Sequence, residues 1–398
     1  MDKDKFLKGS WLRLCYGMIF SKNRDTKILV HILLLLALIL LNGCAFTFFG
    51  EKLEDRSTQP LFSAEKDLEI YAELDYPPGN IAVSPDGRVF FSFHPAGKPS
   101  IHIAELVLNQ VVPYPDKDAQ EEKFTSPLSL RIDRQNRLWV LDYGAHGFRK
   151  VKLYAFDLHS NQLVHEFQFP RNIAGFGSML NDFQVDAEGK KIYIADTSAL
   201  AQNQAIIVYD VEKKEARRLL KKHPSVRNGP YAVHIHGKPL KMFGIFKPKF
   251  GVDSIALSRD GRWLYYAPLN GGVLYRIGVS ALNEEILTEK ELGERVEKFA
   301  EITMSDGITT DDAGNIYITD MENAAIHRID QAGKLQTLFK DPGILRWPDG
   351  FSFGPGGVLY LTDSALQDVM MKSAKQIKMS RPYYIYRFHP GFSAAPGH

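Results

Sequence analysis

A chain of 398 residues with 44% hydrophobic and 24% charged residues has the balance of a globular protein, which excludes a disordered chain and a protein of many membrane spans. Its 49 Lys and Arg stand against 47 Asp and Glu, so no basic excess of the kind that carries nucleic-acid binding is present. Aromatic residues at 12% favour β-structure.

Near the N-terminus, residues 28–41 read ILVHILLLLALILL, with Lys22, Arg24 and Lys27 before them and Leu41-Asn42-Gly43-Cys44 after them. A basic region, an apolar core and small residues before a cysteine predict an export signal over residues 1–43, with Cys44 lipidated as the first residue of the mature chain. The competing expectation is an uncleaved membrane anchor, extended through Ala45 to Phe49 because 28–41 alone is short for a span. Both readings place the remainder outside the cytoplasm, membrane-anchored in the cell envelope or secreted. The compact start MIFSKNRDTK suggests translation from Met18. Without residues 1–43 the chain keeps 42 Lys and Arg against 44 Asp and Glu. Cys15 goes with the signal, so the mature chain can form no internal disulfide.

Residues 44–60 read as a linker, and residues 61–398 as one domain. Six copies of a single unit follow in order: GNIAVSPDGRVFFSF (79–93), SPLSLRIDRQNRLWVLDYG (126–144), LNDFQVDAEGKKIYIADTS (180–198), GVDSIALSRDGRWLYYAPL (251–269), SDGITTDDAGNIYITDMEN (305–323) and PDGFSFGPGGVLYLTDSAL (348–366). Each is an apolar strand, a tight turn ending in Gly or Asn, and a second strand rich in β-branched and aromatic residues. The turns lie roughly 40 to 70 residues apart, room for four strands and a loop, which predicts an all-β, six-bladed β-propeller. Residues 68–74 read as a strand expected to complete the last blade beside 383–388 and so close the ring. Two stretches break the rhythm: a polar insertion at 211–250, and 279–300, whose composition favours helix.

In a propeller the start of each inner strand and the end of the second strand share one mouth of the channel. Counting eight positions back from the turn glycines Gly189, Gly261, Gly314 and Gly357 gives Asn181, Asp253, Asp306 and Asp349, with Asn80 and Asp182 close by. This row predicts either a ligand-binding site or blade caps that accept backbone hydrogen bonds; its oxygen donors could also hold a hard cation such as Ca²⁺ or supply a general base. A second row, Asp142, Asp196, Asp320 and Asp363, reads as strand-end caps. His94, His146, His234 and His236 have no metal-ligand spacing, and His234 and His236 read as an exposed loop pair. No GxSxG, HExxH or phosphate-cradling loop occurs.

SPLSLRIDRQNRLWVLDYG, GVDSIALSRDGRWLYYAPL, SDGITTDDAGNIYITD and WPDGFSFGPGGVLYLTD together resemble the major royal jelly protein and Yellow family, including bacterial members related to dopachrome tautomerase. That resemblance implies an exported propeller; the disulfides of the animal members are missing. In register, Asn181 and Asp253 are also similar to the metal-binding asparagine and aspartate of gluconolactonase and regucalcin propellers. The glutamate those enzymes place on the first blade falls here at Gly79-Asn80. Three functions are therefore expected to compete. One is binding of a small molecule at the acidic channel mouth. Another is a metal-dependent lactonase or dopachrome-tautomerase-like isomerase. The third is an envelope scaffold that engages protein partners through 211–250.

Overall fold

The structure, a computed structural model, describes residues 46–47, 50–242 and 247–397. Met18, the expected export signal and Cys44 lie outside the described residues. Ala45–His398 forms one compact unit.

That unit is a ring of six four-stranded antiparallel sheets. From the channel outward, blade 1 is Pro78–Val83, Val89–Phe93, Ile103–Val107 and Gln110–Pro113, and blade 2 is Pro127–Ile132, Arg137–Asp142, Lys152–Asp157 and Leu163–Gln168. Blade 3 is Leu180–Val185, Lys191–Asp196, Ala205–Asp210 and Glu215–Leu219, and blade 4 is Val252–Leu257, Trp263–Pro268, Val273–Gly278 and Glu297–Glu301. Blade 5 is Ile308–Thr310, Ile316–Asp320, Ala325–Ile329 and Leu335–Lys340. Blade 6 takes Pro348–Phe353, Leu359–Asp363 and Tyr383–Phe388 from the C-terminal end and its outermost strand, Glu69–Leu74, from the N-terminal end. The ring closes as the sequence predicts, the N-terminal strand covering the outer edge of Tyr383–Phe388.

Strand periodicity accounts for the packing. Successive side chains point to opposite faces of a blade. In blade 3, Ile192 and Ile194 therefore join Trp139 and Leu141 of blade 2, whereas Tyr193 and Ala195 join Ile255 and Tyr266 of blade 4. All six interfaces between neighbouring blades are filled in this way, and each fully buried aliphatic or aromatic side chain contributes about 1.5–3 kcal/mol. The turns between first and second strands place Gly87, Asn136, Gly189, Gly261, Gly314 and Gly357 at φ between 59° and 89°, the left-handed region that selected Gly or Asn in every repeat.

Several segments differ from expectation. Residues 50–60 are fastened to the ring: Leu53 is buried, Arg56 pairs with Glu301, and Lys340 pairs with Asp55. The insertion begins later than 211, because Glu215–Leu219 pairs with Ala205–Asp210 as an outer strand. Within 279–300 the helical composition yields two short helices, Val279–Asn283 and Glu289–Glu294, before the outer strand of blade 4. His234 and His236 do not act as a pair: His236 is exposed, while His234 is tucked against Glu322 with its Nδ1 2.7 Å from the Ala232 carbonyl. On the turn side of the ring the C-terminal tail crosses from blade 5 to blade 2. Asp312 N donates to Ser393 O (2.8 Å), Gly397 N to Phe353 O (3.0 Å) and Ile132 N to Gly397 O (3.4 Å).

Candidate functional site

The inner strands converge on the axis so tightly that side chains are excluded at some positions. A Cβ on Gly307 would lie 1.7 Å from the Asp349 carbonyl oxygen, and one on Gly79 would lie 2.7 Å from Leu128. Glycine beside the acidic residue, as in Asp306-Gly307 and Asp349-Gly350, therefore lets adjacent backbones meet while the acid faces the channel. Hydroxyls clip the same places together. Thr362 Oγ1 accepts from Gly350 N (2.8 Å) and donates to Gly79 O of the next blade (2.6 Å), and Thr319 Oγ1 accepts from Gly307 N (2.9 Å).

At their mouth ends the inner strands of blades 1, 2, 3, 4 and 6 slip register, between Pro78 and Ile81, Pro127 and Ser129, Leu180 and Phe183, Val252 and Ser254, and Pro348 and Phe351. A bulge re-aims the residues it contains. Consecutive residues Asn181 and Asp182 consequently both line the channel, which simple alternation would forbid.

All six residues singled out from sequence, Asn80, Asn181, Asp182, Asp253, Asp306 and Asp349, border one cavity of about 460 Å³. Its wall is apolar toward the mouth, where Met179, Met242, Phe250, Leu269, Leu366 and Met370 stand. On the floor, Asp182 accepts from Ser129 Oγ (2.7 Å) and from Asn80 Nδ2 (2.9 Å), and Arg131 lies 3.6 Å away. Arg131 also donates to Asn80 Oδ1 (2.6 Å). Asn181 Nδ2 donates to Asp253, Thr197 Oγ1 donates to the same carboxylate (3.2 Å), and Trp347 Nε1 donates to Asp306 (2.6 Å). Asn181 Oδ1 is buried with no hydrogen-bond partner among the described residues.

Four carboxyl groups thus face one another with Arg131 as the cation beside them. Burial, and then repulsion from neighbouring carboxylates, raises Asp253 and Asp349 well above the usual range. Asp306 is pushed up to about 7 by burial, against the lowering effect of the Trp347 hydrogen bond. Asp182 is raised by burial and partly restored by Arg131 and Ser129.

The strand-end acids have a different fate. Asp142 accepts from Thr125 N (2.6 Å), Ser126 N (3.0 Å) and Gly144 N (2.9 Å). Asp196 holds buried Arg218 at 2.6 Å, Asp320 receives Glu322 N and Asn323 N, and Asp363 receives Trp347 N. These four are caps, in keeping with their sequence reading.

Several cavity residues were not marked in the sequence. Arg131 was detectable as a charge inside an apolar inner strand, SLRI, and Trp347 as the residue before Pro348 at the start of blade 6. His94 and His146, noted in the sequence only for their lack of metal-ligand spacing, also border the cavity. Burial and then the neighbouring His146 bring His94 down to about 4, and burial lowers His146, so both are uncharged at neutral pH. His146 sits on a left-handed turn, Gly144 to Gly147, in which Ala145 (φ 49°) and His146 (φ 58°) are held away from their preferred conformations. No spacing rule predicts that turn.

As a metal centre the floor supplies the right donors, all oxygen, and an unpartnered buried acceptor in Asn181 Oδ1. Among the described residues, however, no three His, Cys, Asp or Glu side chains are grouped as a metal would require. Also among the described residues, no helix is long and apolar enough to cross a membrane.

Comparison with known proteins agrees with this architecture. The family model described as Major royal jelly protein matches residues 125–369. Major royal jelly protein 6 of Apis mellifera is 29% identical over 183 residues, 42% of this chain and 39% of that protein. The Yellow-related salivary protein M10 of Phlebotomus duboscqi is 27% identical over 207 residues, 46% of this chain and 50% of that protein. The chain thus spans half or less of the length of these relatives. Among solved structures, a luciferin-regenerating enzyme superposes with a TM-score of 0.55 at 13% identity, over 83% of this chain and 97% of that one. The calcium-binding protein regucalcin from Agrobacterium tumefaciens gives 0.54 at 14% identity, over 85% and 97%. A gluconolactonase from Xanthomonas campestris gives 0.50 at 14%, over 81% and 88%. At such identities these structures speak for the fold alone.

Proposed function

The chain belongs to the major royal jelly protein family, and from that premise we propose that it is an exported propeller whose channel mouth binds a small organic cation with an apolar body. The observation that carries the reading is the set of four carboxyl groups facing one another below an apolar wall, Asp182, Asp253 and Asp306 buried and Asp349 half-buried. Buried like charges are costly until a cation or protons neutralise them. An ammonium group seated among them would donate to their free oxygens while methionine and phenylalanine side chains cover the rest of the molecule. The export-signal pattern before Cys44 supports an extracytoplasmic location, and one relative is a salivary protein.

Isothermal titration of the full chain with an aromatic amine, and with the same molecule carrying a hydroxyl in place of the amine, tests this. Binding of the amine alone, surviving a chelator and weakened about a hundredfold in Asp306→Asn, is expected; a buried, paired charge of this kind is worth roughly 3 kcal/mol. Equal affinity for both compounds, or none for either, overturns it.

A divalent cation is the second reading, favoured by the unpartnered Asn181 Oδ1. Asn181, Asp253, Asp306 and Asp349 would have to draw closer than they stand to hold it, and such an ion would supply Lewis-acid polarisation of a substrate carbonyl, as lactone or isomerase chemistry needs. Elemental analysis of protein purified without chelator decides: stoichiometric Ca²⁺, Mg²⁺ or Zn²⁺ lost in Asp253→Asn supports the ion, and its absence removes this reading.

A further inference from the structure

Charge is segregated between the two faces of the ring. Connections at the cavity mouth (75–77, 94–102, 114–126, 143–151, 169–179, 197–204, 220–251, 269–272, 302–307, 321–324, 341–347 and 364–382) carry eighteen Lys and Arg against nine Asp and Glu. The turn-side connections (61–68, 84–88, 108–109, 133–136, 158–162, 186–190, 211–214, 258–262, 279–296, 311–315, 330–334, 354–358 and 389–398) reverse the balance, with eleven against sixteen. A chain close to neutral overall therefore presents a basic face around an acidic cavity.

The basic face also exposes apolar side chains beside its cations. Phe148 (59% exposed) and Phe176 (62% exposed) stack edge to face at 4.7 Å on neighbouring mouth loops. Exposed Arg149, Lys150 and Arg171 flank them, and none has an ion-pair partner among the described residues. Across the mouth, Met371 (55% exposed) borders the cavity and Met379 (75% exposed) ends a short helix, with Lys372, Lys375 and Lys378 interspersed. Aromatic and methionine side chains set among unpaired cations are what an anionic lipid interface rewards, through apolar burial and headgroup attraction together.

The route of the chain adds an independent argument. Phe46–Thr47 pairs with Lys247–Pro248, and Glu51 bridges Tyr231, both within the mouth-side insertion. Phe46, which follows Cys44 and the apolar run 28–41 in the sequence, therefore lies on the basic face.

We propose that this face docks flat on an anionic phospholipid bilayer, with the cavity mouth turned toward the lipid. The proposal stands whether or not the cavity binds an amine. It predicts that a ligand reaches the cavity along the membrane surface, past Met371 and Phe148, in place of arriving from bulk water.

Brominated lipids quench tryptophan at the bilayer surface and provide the test. Full-length chains carrying Phe148→Trp on the mouth face or Leu108→Trp on the turn face are reconstituted into phosphatidylcholine vesicles with and without phosphatidylglycerol. Leu108 is 94% exposed in the outer turn of blade 1 and serves as the control. The tryptophan at 148 is expected to be quenched in the anionic vesicles and the one at 108 spared, with quenching lost at high salt. In Arg149→Gln/Lys150→Gln/Arg171→Gln the docked-to-undocked ratio should fall about fivefold for each cation removed. Equal quenching at both positions, or none at 148, overturns the proposal. So does a response at 148 to soluble heparin without one to anionic vesicles, which would make the partner a dissolved polyanion.

Discussion

Two rows of acidic residues stand on paired strands of the same repeat, and they are put to opposite uses. Asp142, Asp196, Asp320 and Asp363, at the ends of second strands, are engaged by backbone N–H groups, with Arg218 added at Asp196, His327 at Asp320 and Arg346 at Asp363. Asp182, Asp253, Asp306 and Asp349, at the starts of inner strands, face one another. The first row stabilises the blades. The second opposes its own ionisation, which a protein retains where a ligand will relieve it.

The largest expected effect separates the rows by stability. Asp196→Ala should cost about 3–5 kcal/mol in urea denaturation, because Arg218 stays buried without its partner. Asp349→Asn should be neutral or stabilising at pH 7, since it removes a charge that its neighbours repel. Equal losses for both would abolish the distinction.

A smaller effect is expected in the pH dependence. Asp306 has its folded value near 7 and its ordinary value near 3.8, so the folded chain holds this proton more tightly than the unfolded chain does. The resulting stabilisation is complete below about pH 4 and is lost as pH rises through 7. Denaturation midpoints measured from pH 4 to 8 should fall less steeply in Asp306→Asn than in the parent, whereas amine affinity in the parent should increase over the same range. Parallel midpoint curves would show that Asp306 is not held protonated.

The smallest effect concerns Trp347, whose indole N–H donates to Asp306 at 2.6 Å. In Trp347→Phe the ring remains and the donor goes. A hydrogen bond to a carboxylate worth about 1.5 kcal/mol should shift the midpoint of amine binding upward by roughly 1 pH unit. An unchanged midpoint would remove Trp347 from the site's electrostatics.

Most of the ring was legible because each blade repeats a turn whose geometry requires Gly or Asn, followed by strands whose alternation serves two interfaces at once. That Asn181, Asp253, Asp306 and Asp349 border one cavity was legible for the same reason, since a fixed offset from a turn glycine marks a fixed height in the channel. Other features left no local trace. Arg131 reaches Asn80 and Asp182 across two other blades, a contact between residues 51 apart in both directions. The register slips that bring Asn181 and Asp182 to the same cavity depend on how closely backbones approach at the axis. Residues 50–60 read as a linker because their attachment comes from scattered partners, Glu301, Thr337 and Lys340, and not from a pattern of their own.

Blade 6 sets a timetable for the molecule. Its outer strand, Glu69–Leu74, emerges among the earliest residues of the propeller, and its partner, Tyr383–Phe388, among the last. Through the intervening synthesis the first strand waits without a mate. An interruption anywhere before Tyr383 would leave an arc with two sticky ends in place of a shortened ring, so quality control of this protein amounts to checking that its last strand has arrived.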